Sequence, residues 1–188
     1  SFDLIIHDLN EFKPEFSQNK NDQSSNLLVF NISEEFSPIK LTLGSVPYDN
    51  DCNDRNQLFY SVHIQRINQK SVEDFLKEIK SHSILKYNEL FLNHNFTHQN
   101  NLFDFEILID QDLMFLYTNK SIDRELVQTI DIEILASDRD IFRNKFLIEQ
   151  EVVNKASLKV LINIADINDN APKFETQVYN LEFDEGLA

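Results

Sequence analysis

Ile162-Asn163-Ile164-Ala165-Asp166-Ile167-Asn168-Asp169-Asn170-Ala171-Pro172-Lys173-Phe174 is the stretch whose reading decides the fold. A β-prone run passes directly into clustered oxygen-bearing side chains, then into a proline and a phenylalanine. Pro172 has no N–H to give a sheet ladder, so it ends the pairing and fixes the chain direction. Phe174 then re-enters an apolar segment. Near the start, Leu4-Ile5-Ile6-His7-Asp8-Leu9-Asn10-Glu11-Phe12-Lys13-Pro14-Glu15-Phe16 follows the same order: strand, Asp-x-Asn-acid-x-x-Pro-x-Phe. Internal self-similarity of this kind marks a repeat architecture, with the junction between repeats seen twice.

Between the two junctions the chain reads as all-β. Asn26 to Glu35, Phe36 to Val46 and Gln57 to Ile64 are expected strands. Phe103 to Ile109 and Leu113 to Tyr117 form an expected hairpin turning at Asp110-Gln111-Asp112, and Thr129 to Ala136 and Leu158 to Ala165 add two more strands. Strands in this number without a glycine-rich phosphate turn point to a sandwich. One segment departs from the pattern. Ser71 is a helix cap, Glu73 and Asp74 fill the first turn, and Val72, Phe75, Leu76 and Ile79 recur at helical spacing. The sequence therefore predicts a short amphipathic helix inside an inserted loop at about 66–102.

Bulk properties narrow the function. The 188 residues carry a formal net charge of −15, which excludes nucleic acid and anionic membrane as main partners. A single cysteine, Cys52, excludes an internal disulfide framework, although bound metal can stabilise an extracellular domain in its place. No stretch approaches the roughly 20 apolar residues of a membrane span, and Ser1-Phe2-Asp3-Leu4-Ile5-Ile6 starts like the middle of a strand. The chain is therefore expected to be part of something longer.

Acids and amides also fall into ordered groups: Ile32-Ser33-Glu34-Glu35, Asp49-Asn50-Asp51 followed by Asn53, Asp54 and Asn56, Ile122-Asp123-Arg124-Glu125, and Ala136-Ser137-Asp138. Oxygen donors without cysteine or paired histidine suit a hard cation such as Ca²⁺. An EF-hand at Asp49 fails, because the sixth position is Asp54 rather than glycine and the twelfth is Tyr60 rather than glutamate. His94 and His98 bracket Asn95-Phe96-Thr97 in a polar loop and read as solvated. A glycosidase-like enzyme with two converging carboxylates is the rival from another class, but its acids would have to meet in one pocket rather than at two ends of a sandwich.

In this order the groups resemble cadherin repeats. Asp166 to Phe174 matches the cadherin linker motif, Ile122-Asp123-Arg124-Glu125 resembles the Leu-Asp-Arg-Glu motif, and Ala136-Ser137-Asp138 resembles Ala-x-Asp. Ile32-Ser33-Glu34 with Pro38, and Tyr48-Asp49-Asn50-Asp51, look most like protocadherin repeats. The resemblance implies a seven-stranded Greek-key, immunoglobulin-like sandwich with the partly helical insertion between its second and third strands. It implies residues 1–16 as the end of a preceding repeat, 17–174 as one repeat with its calcium linker at 166–174, and 175–188 as the start of the next. It further implies two calcium ions at the lower end, held by Glu34, Asp123, Glu125, Asp166, the Ile167 carbonyl and Asp169, with Asn168 and Asn170 in the same motif. At the upper end Asp49, Asp51 and Asp138 would join Asn10 and the Phe12 carbonyl around a third. There Glu11 stands where aspartate is usual, and Asn56 lies out of the family register.

The function implied is calcium-dependent cell–cell adhesion by a single-pass protein on the extracellular side of the plasma membrane. Its partner would be another cadherin ectodomain, homophilically. A non-adhesive spacer or signalling ectodomain is the alternative. The sequons at Asn31, Asn95 and Asn119 would be glycosylation acceptors there.

Overall fold

Strict alternation builds the sheets. In β7 (Thr129–Ser137) Ile130, Ile132, Ile134 and Ala136 point inward, and in β8 (Lys155–Ala165) Leu158, Val160, Ile162 and Ile164 do the same. The computed structural model describes residues 12–16, 27–50, 58–81, 102–138, 153–172, 174, 176, 178–179 and 186. The first strands along the chain are β1 (Leu27–Ser33), β2 (Ile39–Ser45), β3 (Phe59–Ile67) and the two-residue β4 (Lys70–Ser71). Helix α1 (Val72–Ser81) follows, and then β5 (Glu106–Asp110) and β6 (Leu113–Thr118).

One sheet has the order β1-β8-β7-β3-β4 and the other β2-β6-β5, so the chain crosses between layers repeatedly, as an all-β sandwich requires. β1 runs parallel to β8, with Ser33 opposite Ala165, whereas the remaining pairings are antiparallel. Ile39, Leu41 and Leu43 of β2 and Met114 and Leu116 of β6 close one core with the inward residues of β3, β7 and β8. A register shift between Thr42 and Gly44 marks a bulge in β2, where Gly44 holds φ 118 without a Cβ to clash. The expected hairpin forms, turning at Gln111 with φ 55.

The expected helix also forms. Ser71 caps it: the Asp74 N–H donates to Ser71 Oγ (3.2 Å), and that hydroxyl donates to Asp74 Oδ2 (2.7 Å). Its position differs from the expectation in two respects. α1 follows the third strand and β4, not the second strand, because β1, β2 and β3 all precede it and β3 turns directly into β4 and the helix. Arg66 and Ile67, expected in the insertion, belong to β3, and Ile67 is fully buried.

Val72, Phe75 and Ile79 are buried in the same core as the strands. A Phe75→Ala variant is therefore expected to lose about 3–5 kcal/mol of stability. Chemical denaturation reads this as a fall in midpoint at constant slope, and an unchanged midpoint would mean that the helix merely rests on the surface.

Candidate metal centre

The parallel register of β1 and β8 delivers Glu34 and Asp166 side by side at one end of the sandwich, and the Glu34 N–H donates to the Ala165 carbonyl (3.0 Å). The Glu34 side chain is only 2 % exposed. Burying a carboxylate is costly unless it is well bonded, and here it is: Oε1 accepts from the Ile167 N–H (2.6 Å) and Oε2 from the Arg124 N–H (2.9 Å). These two bonds, Ile167 first, hold its carboxyl below the ordinary 4.5 against burial and the Asp123 charge. Glu35 turns away through a left-handed φ of 57 and is exposed.

The second contribution is a tight turn. The N–H groups of Leu126 (3.2 Å) and Val127 (2.9 Å) donate to the Asp123 carbonyl, and the Glu125 N–H donates to Asp123 Oδ1 (3.0 Å). The third is the linker, where the Asp169 N–H donates to the Ile167 carbonyl (2.7 Å). These constraints bring carboxylate oxygens of Glu34, Glu125 and Asp169 within 4.8 Å of one another. Asn170 Nδ2 donates to both Glu125 Oε1 and Asp169 Oδ1, each at 2.9 Å. The Glu125 carboxyl sits above its ordinary range. Its own N–H pulls it down, but the hydrogen bond with Asp123, burial and the charges of Glu34 and Asp123 push it up further.

Asp166 is not among the three that converge; its Oδ1 accepts from Arg124 Nη1 (3.2 Å). Asn168 is exposed in the same linker. An all-oxygen donor set gathered on a buried carboxylate, with neither sulfur nor imidazole, fits a hard divalent cation.

At the opposite end the described residues are fewer. Asp49 is 5 % exposed, and Asp138 Oδ2 accepts from the Asn154 N–H (3.2 Å). Oδ2 of Asp49 and Oδ1 of Asp138 are buried and accept no hydrogen bond, although each residue is engaged through other atoms. Phe12 is exposed, and just beyond it Glu15 pairs with Tyr48 through backbone bonds of 2.8 and 3.2 Å and through the Tyr48 hydroxyl (2.6 Å). Asn10, Glu11, Asp51 and Asn56 lie outside the described residues, as does Asn95. Asn119 is exposed in the turn after β6, and Asn31 is exposed on β1, its Oδ1 accepting from Asn163 Nδ2 (2.9 Å). The sequence reading passed over Asn68, which fastens the segment after Glu125; its only local sign is its place between a strand and a helix cap.

Solved structures share this fold. The chain superposes on mouse clustered PcdhgC3 EC1-3 with a TM-score of 0.52 at 17 % identity, covering 93 % of this chain and 40 % of that one. It superposes on protocadherin gamma C5 EC1-3 with a TM-score of 0.51 at 16 % identity, covering 96 % and 42 %. The fold is that of a cadherin repeat. No protein-family model matches the chain. At the sequence level the chain is 33 % identical to part of Cadherin-87A of Drosophila melanogaster, covering 44 % of the chain and 5 % of that protein. It is 38 % identical to part of Cadherin-related hmr-1 of Caenorhabditis elegans, covering 38 % and 2 %. The chain thus spans a small part of the curated relatives it matches.

The opposite directions of the two glutamates can be tested in chelator. Glu34 is more acidic folded than unfolded, so its contribution is present above about pH 4.5 and fades as pH falls below that value. Glu125 is less acidic folded, so its charge costs stability at neutral pH. Glu34→Gln is expected to lower the melting temperature at pH 7, with the gap closing in acid, and Glu125→Gln to raise it. Equal shifts of one sign would contradict the assigned environments.

Proposed function

We propose that this chain is an extracellular cadherin repeat of a longer adhesion protein, and that its lower end binds calcium. The observation that carries the reading is the convergence of Glu34, Glu125 and Asp169 at the exit of the linker. Asp123, Asp166, the Ile167 carbonyl, Asn168 and Asn170 flank them and complete the proposed set. Asp49, Asp51 and Asp138, with Asn10, Glu11, Phe12 and Asn56, form the corresponding upper set.

Bound calcium would supply the positive charge that lets these carboxylates stay close. The chain's own residues do the rest. Glu34 joins the end of the sandwich to the linker, Asp123 holds the turn that presents Glu125, and Asn170 aligns Glu125 with Asp169. Without a cation the carboxylates repel and the joint to the next repeat loosens; with one, the linker is fixed and the ectodomain stiffens. Extracellular modules of this kind bind with dissociation constants of roughly 10⁻⁴–10⁻³ M, so they are filled outside cells and empty inside.

The parent protein is read as protocadherin-like, anchored by a single span outside this fragment on the extracellular side of the plasma membrane. It would carry glycans at Asn31, Asn95 and Asn119 and pair with another cadherin ectodomain, homophilically. Among the described residues no helix is long and apolar enough to cross a membrane.

In the chain extended through the following repeat, millimolar calcium is expected to stabilise by about 1–3 kcal/mol. Asp169→Ala or Glu125→Ala is expected to weaken binding sharply while the sandwich stays folded. A melting temperature indifferent to excess chelator would sink the proposal. For adhesion, beads coated with the complete ectodomain should aggregate in calcium and disperse in chelator. Calcium binding without aggregation would assign the repeat to a spacer or signalling ectodomain instead.

A further inference from the structure

Asn68 fastens the turn that leads into β4 and α1 to the segment after Glu125. β3 reverses into β4 of the same sheet through Asn68 (φ 51) and Gln69 (φ 63), two left-handed residues. Asparagine tolerates that conformation, but so would glycine, and backbone geometry alone does not call for an amide. The amide is nevertheless used at both its oxygen and its nitrogen. Asn68 Oδ1 accepts from the N–H groups of Gln128 (2.7 Å) and Thr129 (3.2 Å), and Nδ2 donates to the Leu126 carbonyl (2.8 Å). The Asn68 backbone N–H adds a bond to the Thr129 carbonyl (2.9 Å).

The backbone so held is the immediate continuation of Asp123-Arg124-Glu125. Leu126 follows Glu125 directly and also donates back to the Asp123 carbonyl (3.2 Å). The turn is therefore pinned at its start by the Arg124 N–H on Glu34 (2.9 Å) and at its end by Asn68. Removing the amide would strip partners from one carbonyl and two N–H groups beside the residue whose carboxylate must meet Glu34 and Asp169.

We propose that Asn68 is a positioning residue for the cation cluster, holding Glu125 in place through the segment 126–129. The inference rests on the proposed binding at Glu34, Glu125 and Asp169. Because coupling is reciprocal, filling the cluster would in turn tighten the bonds between Asn68 and residues 126–129.

The test is a titration of the 188-residue protein with terbium(III), with calcium as the displacing ion, well below the melting temperature. Partners that orient metal ligands typically contribute 10–100-fold to affinity, so Asn68→Ala is expected to bind about tenfold more weakly. Phe75→Leu, which loosens the helix without touching the turn, is expected to lower stability and keep the affinity. Equal affinity of Asn68→Ala and the wild type overturns the inference but leaves the calcium reading standing, whereas a wild type that binds no ion overturns both. Should Asn68→Ala not fold, amide exchange on the wild type decides. The Gln128 and Thr129 amides, which donate to Asn68, should exchange more slowly once the cation is added, and unchanged exchange there overturns the inference.

Discussion

A buried carboxylate bridging two distant N–H groups is the interaction on which this end of the molecule depends. Glu34 receives Arg124 from one loop and Ile167 from the linker, three positions far apart along the chain. Its charge is kept because both bonds are made to the ionised form. The same charge faces Glu125 and Asp169 across less than 4.8 Å. The arrangement thus fastens the linker to the sandwich while gathering three carboxylates at one end of it.

The sandwich gives this interaction its precision. Glu34 and Asp166 leave adjacent, paired strands whose inward residues are packed in a shared core. The loops that carry oxygens therefore hang from rigid ends. The insertion is accommodated because it enters at an edge. β4 extends the five-stranded sheet beyond β3, where no neighbouring strand has to be displaced. Long surface insertions cost little loop entropy, and α1 offsets that cost by burying Val72, Phe75 and Ile79. The helix therefore belongs to the core as much as the strands do.

Arg124 shows how one residue serves two ends. Its backbone N–H steadies Glu34 while its guanidinium takes the charge of Asp166. Asp166 is thereby paired within the protein, while Glu34, Glu125 and Asp169 converge. Asn170, bonded to two of those three, limits how far they can move apart.

Local patterns were legible in the sequence because they depend on near neighbours. Short β-prone runs marked β2, β7 and β8, a cap with helical spacing marked α1, and Asp110-Gln111-Asp112 marked the hairpin turn. The repeated strand-to-linker junction and the ordered oxygen groups pointed to Glu34, Glu125 and Asp169 before any coordinates. Other features needed the tertiary structure. Glu34 and Glu35 are adjacent and chemically alike, and only the left-handed turn at Glu35 sends one inward and the other to solvent. The parallel pairing of β1 with β8, which sets Glu34 beside Asp166, joins residues more than a hundred positions apart. The pairing of Asp166 with Arg124 and the grip of Asn68 on residues 126–129 are hydrogen bonds across 42 to 61 positions. Periodicity and composition constrain what lies along one strand or helix; which distant side chains meet is settled only when the sheets pack and bring their ends together.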